Sequence, residues 1–79
     1  MKPKEISTDH KELLQAIGNR IRKLREETGQ SYIQIAKEIG ISRNSYNQVE
    51  NGRVYFNISS LLLILEFHHL SLGEFIHDL

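Results

Sequence analysis

The chain has no cysteine. Neither a disulfide nor a thiolate zinc site can therefore hold its fold together, which suits a reducing compartment. It also lacks a long apolar run: the longest, LLLIL at residues 61–65, is far too short to cross a bilayer. The opening stretch MKPKEISTDHKE is polar and has no apolar centre of the kind a signal peptide needs. A soluble cytoplasmic protein without a membrane partner is expected. There is no glycine-rich phosphate loop, no H-E-x-x-H and no paired carboxylates in an apolar setting. Nothing marks a nucleophile and a base as neighbours. These absences argue against an enzyme and against a bound cofactor. Net charge is also missing: the formal total is zero, which by itself counts against a nucleic-acid partner.

The distribution of charge tells more than its sum. All ten Lys and Arg fall within residues 1–53 beside seven acids, leaving that part at +3. Residues 54–79 carry Glu66, Glu74 and Asp78 with no Lys or Arg, leaving −3. The chain is thus polarised, basic toward its first two thirds.

Seventy-nine residues allow one domain, and the pattern is helical throughout. Residues 1–8 read as a loose arm and 9–79 as the folded domain. A first helix is expected from Asp9, with Glu12 completing a capping box. Leu13, Leu14, Ile17, Ile21 and Leu24 follow at three- and four-residue steps, one apolar stripe. Gly18 interrupts it at some cost in helix propensity, and Gly29 closes it. Ser31 with Gln34 caps a second helix whose inner stripe is Ile35, Ala36 and Ile39. Gly40 ends it in a tight turn. Ser42 caps a third helix over residues 43–50, which Asn51-Gly52 ends. After a short loop, a fourth helix starts at Asn57 and a fifth at Ser71, with Glu74 as capping-box partner.

The third helix is the informative one. In ISRNSYNQVENG, residues 41–52, polar side chains outnumber those that can be buried. Tyr46, Val49 and the preceding Ile41 point one way. Arg43, Asn44, Asn47, Gln48 and Asn51 point the other. An arginine can donate two hydrogen bonds to guanine O6 and N7, and Asn or Gln can pair with adenine N6 and N7. A short helix with this face, set behind another at a tight turn, is the arrangement a DNA-reading pair requires.

QSYIQIAKEIGISRNSYNQVENG resembles the helix-turn-helix of the Cro and lambda-repressor-like DNA-binding regulators, the XRE family. Ala36 matches the small residue that lets the two helices approach. Gly40 matches the glycine of the turn, and Glu50-Asn51-Gly52 matches the segment after the recognition helix. The resemblance extends over roughly residues 17–76. It implies an all-α, five-helix lambda-repressor-like domain with helices 2 and 3 as the helix-turn-helix. It implies double-stranded DNA as partner, with Arg43, Asn44 and Gln48 at base-contacting positions. Asn47, on the same face, is a fourth candidate. Phosphate contacts would come from Tyr32, Ser45, Asn51 and Arg53. The family pairs positions matching Arg25 and Glu50, so a structural ion pair between the first helix and the end of the third is expected.

Two departures from the family pattern bear on function. Tyr32 stands where the family usually has a glutamine that bonds a phosphate and braces a recognition side chain. The hydroxyl can still reach a phosphate, or the ring can pack on the surface. The fourth helix holds more apolar residues than one core can bury. A homodimer interface is expected from Leu63, Leu65, Phe67, Phe75, Ile76 and Leu79. His68 and His69 stand where the family commonly shows Leu-Gly. Adjacent histidines diverge by about 100° on a helix, so with His77 they do not make a metal site. The expected function is a transcriptional regulator binding a pseudo-palindromic operator as a homodimer. The alternative is a protein-interaction module, or an antitoxin-like partner of another protein, that keeps the fold with weak or no DNA binding.

Overall fold

A computed structural model describes residues 8–79. Five helices follow in order: α1 Thr8–Thr28, α2 Tyr32–Ile39, α3 Arg43–Glu50, α4 Ile58–Phe67 and α5 Leu72–His77. There is no strand among the described residues. The arm expected over 1–8 lies outside the described residues except for Thr8, which already belongs to α1. Asp9 is likewise inside the helix and not its cap.

Local signals account for most boundaries. Ser31, Ser42, Asn57 and Ser71 are the N-caps of α2 to α5, and the Ser31–Gln34 and Ser71–Glu74 capping boxes both form. Each cap oxygen accepts an N–H that the helix leaves unpaired. The Ser71 backbone and side chain also hold the Glu74 carboxyl below its ordinary range. Three helices end alike. The N–H groups of Ile41, Arg53 and Leu70 reach back to the carbonyls of Ala36, Gln48 and Leu65, each at 3.0 Å. Such a six-residue closure needs a left-handed residue before the last donor. Gly40 and Gly52 supply it at φ 79° and 66°; after α4 it is His69, at φ 58°.

Every helix contributes to one core. Ile21 comes from α1, Ile35 and Ala36 from α2, and Tyr46 and Val49 from α3. Leu61, Ile64 and Leu65 come from α4, and Phe75 from α5. Six residues cannot sustain a helix alone, so α5 depends on its capping box and on Phe75, whose burial contributes about 2–3 kcal/mol. The expected dimer surface is corrected here. Leu65 and Phe75 are fully buried within the single chain and cannot meet a second copy. The three- and four-residue steps from Leu61 to Leu65 turn that face of α4 inward, and Phe75 is the inward side chain of α5. Phe67 is half-buried, whereas Leu63, Ile76 and Leu79 are exposed. Ile58, Leu62 and Leu72 are exposed as well.

Candidate nucleic-acid interface

The surface presented by α3 is set by how the helix is rotated and how its two ends are held. Rotation follows from burial. Tyr46 and Val49 are enclosed, three residues apart and so on one side of the helix. Arg43 and Asn44 are then exposed, and Asn47 and Gln48 half-exposed. The four side chains expected to read bases thus lie on the outer part of one short helix.

The N-terminal end is held by the turn. Ser42 Oγ accepts the Ser45 N–H at 3.0 Å and its hydroxyl donates to Ser45 Oγ at 2.9 Å. Ser45 is half-buried beside this cap. Tyr32, at the start of α2, is half-buried, with its ring 6.1 Å from that of Tyr46. From the first turn of α2 the Tyr32 ring packs against the core. The Tyr46 phenol is pushed well above its ordinary pKa, chiefly by burial and further by the Glu50 carboxylate.

The C-terminal end is fastened to α1 by charge and by close approach. Glu50 has a side chain only 5% exposed. Arg25 Nη2 donates to its Oε1 at 2.7 Å, and Nε lies 3.2 and 3.3 Å from the two oxygens. This is the expected pair in forked geometry. The hydrogen-bonded carboxylate raises the Arg25 pKa against the opposing effect of burial. A second guanidinium was not anticipated: Arg22 Nε also donates to Glu50 Oε1, at 3.1 Å. Arg22 and Arg25 are one turn apart and so share a face of α1, a spacing already visible in RIRKLR. Gly18 explains itself here too. A Cβ on it would lie 2.3 Å from the Glu50 carbonyl oxygen and 3.0 Å from that of Val49. The backbones of α1 and α3 meet where only a hydrogen fits. Gly52 does the same one turn earlier on α1: its Cβ would lie 3.1 Å from backbone atoms of Leu14 and Gln15.

Of the expected phosphate-contacting residues, Asn51 and Arg53 are exposed just beyond α3, while Ser45 and Tyr32 are half-buried near the turn. Both ends of α3 are thus flanked by side chains that carry hydrogen-bond donors. No helix among the described residues is long and apolar enough to cross a membrane.

A family profile described as "Helix-turn-helix" matches residues 21–75, from the middle of α1 to α5. The chain is 36% identical over 61 residues to the HTH-type transcriptional regulator PrpR of Mycobacterium tuberculosis. That match covers 77% of this chain and 13% of the relative, so the chain spans a small part of that regulator's length. No solved structure matches. With a family match over well more than half its length and five helices in the expected order, the chain belongs to the helix-turn-helix family of Cro and lambda-repressor-like (XRE) DNA-binding regulators.

Proposed function

We propose that the chain is a sequence-specific DNA-binding regulator of transcription in which α3 enters the major groove. One observation carries the reading. An arginine and three amide side chains lie outward on a helix whose rotation is fixed by Tyr46 and Val49 and whose end is fixed by Glu50. In this reading Arg43, Asn44, Asn47 and Gln48 contact base edges. Tyr32, Ser45, Asn51 and Arg53 contact phosphates and set register. The similarity to a transcriptional regulator supports the same role.

The operator is pseudo-palindromic and the chain binds it as a homodimer, its two α3 helices about 34 Å apart along the duplex. The exposed apolar side chains of α4, of α5 and of the residues after it, among them Leu63, Ile76 and Leu79, supply the surface for pairing. The same patch favours a second reading, a protein-interaction or antitoxin-like module whose partner is another protein. Selection of bound sequences from a random duplex library separates the two. Inverted repeats spaced by one helical turn are expected. Recovery of no enriched sequence, with firm capture of another protein on α4 and α5, would support the second reading.

A further inference from the structure

Arg22 reaches two groups at the end of α3. Besides its bond to Glu50, its Nη2 donates to Asn51 Oδ1 at 3.3 Å. Glu50 needs one guanidinium for neutralisation, and Arg25 is the better placed. Arg25 makes the shorter contact and its side chain is 21% exposed, against 44% for Arg22. Arg22 is therefore not needed to neutralise Glu50, and its distinctive contact is the one to Asn51. A guanidinium carries donors and no acceptor. The Asn51 amide must then turn its oxygen to Arg22 and its Nδ2 the other way. Asn51 is exposed, and its Nδ2 makes no hydrogen bond among the described residues.

We propose that Arg22 is a positioning residue for DNA binding: it holds the Asn51 amide so that Nδ2 donates to a backbone phosphate beside the recognition helix. The proposal rests on the DNA-binding reading above. Asn51 makes the contact; Arg22 sets its orientation and removes the entropy of a free amide rotor. The partner chemistry is a phosphodiester oxygen, an acceptor with no donor, which a flipped amide would meet oxygen to oxygen.

A double-mutant cycle of Arg22→Ala and Asn51→Ala tests it, with binding to a mixed-sequence duplex measured where circular dichroism finds every variant folded. Each single change is expected to weaken binding about tenfold. The double variant is expected to bind no more weakly than Asn51→Ala alone. A role confined to bracing α3 would persist in the Asn51→Ala background, so losses that multiply overturn the proposal. So does an Arg22→Ala variant that binds like the wild type. In the free protein, Arg22→Ala is expected to shift the side-chain amide resonances of Asn51; unchanged resonances overturn the proposed hold without reference to DNA. A wild-type chain that binds no duplex overturns the DNA reading itself, whereas a wild type that binds while the losses multiply overturns only the role of Arg22.

Discussion

Gly18→Ala sets two effects of opposite sign against each other at one atom. Gly18 lies within α1, and a glycine in a helix interior ordinarily costs about 1 kcal/mol relative to alanine. At an open site the substitution would therefore stabilise. Here the new Cβ would sit 2.3 Å from the Glu50 carbonyl oxygen and 2.8 Å from its carbon. Ordinary contact begins near 3.4 Å. Both obstructing atoms are backbone, so no rotamer relieves them, and α1 and the end of α3 must separate by about an ångström. Overpacking of this kind costs about 1–3 kcal/mol, and the displacement also stretches the contacts of Arg22 and Arg25 to Glu50. We expect a net loss of about 1–2 kcal/mol, a fall in Tm of roughly 4–16 °C for a domain of this size. Thermal and urea unfolding by circular dichroism would measure it, with DNA affinity falling in parallel. A variant more stable than wild type by the propensity difference would refute the close docking of α3 on α1.

Glu50→Gln removes the charge that both guanidiniums share and leaves Arg25 partly buried without a counter-ion. A loss of about 2–3 kcal/mol is expected, with weaker DNA binding, both readable by thermal melts and gel shift. Unchanged stability would mean that the pair is unimportant. His69→Gly relieves a left-handed backbone at an exposed position. It should stabilise the domain by about 1 kcal/mol in chemical denaturation. His68 gives a pH dependence. Burial, with a smaller push from His69 and an opposing pull from Glu27, lowers its pKa from the ordinary 6.5. The folded state favours the neutral ring, while the unfolded state takes up the proton first. The His68 contribution is thus complete above pH 6.5 and is lost as pH falls through the folded-state pKa. Melting curves below pH 6.5 should show this fall, and His68→Gln should flatten that part of the profile.

Much of this structure is legible in the sequence. The caps at Ser31, Ser42, Asn57 and Ser71 are local events within four residues, so their chemistry is written in consecutive letters. The inward stripe of α3 follows from a three-residue step. The Arg25–Glu50 pair rested on family resemblance and is present. What escaped depends on where distant segments meet. Gly18 read as a weakness in a helix until the Glu50 carbonyl appeared against it. The contact of Arg22 with Glu50 joins residues 28 apart in the chain. Leu65 and Phe75 read as surplus apolar surface, because a run such as LLLIL does not say which of its sides is covered. His69 in the left-handed region replaces a glycine in a turn whose geometry only the backbone reveals.

The central claim is that the polar face of α3 distinguishes one base sequence from another. Its most direct test compares wild type with an Arg43→Ala, Gln48→Ala double variant on a library-selected duplex and on an unrelated one, across a salt series starting near 50 mM. For the wild type, tight binding to the selected duplex is expected, weakening steeply with salt. For the double variant, preference between the duplexes should collapse while much of the salt-sensitive binding persists, because most phosphate contacts remain. A wild type that binds neither duplex at low salt, or a double variant that keeps the full preference, would contradict the assignment of α3 as the base-reading element.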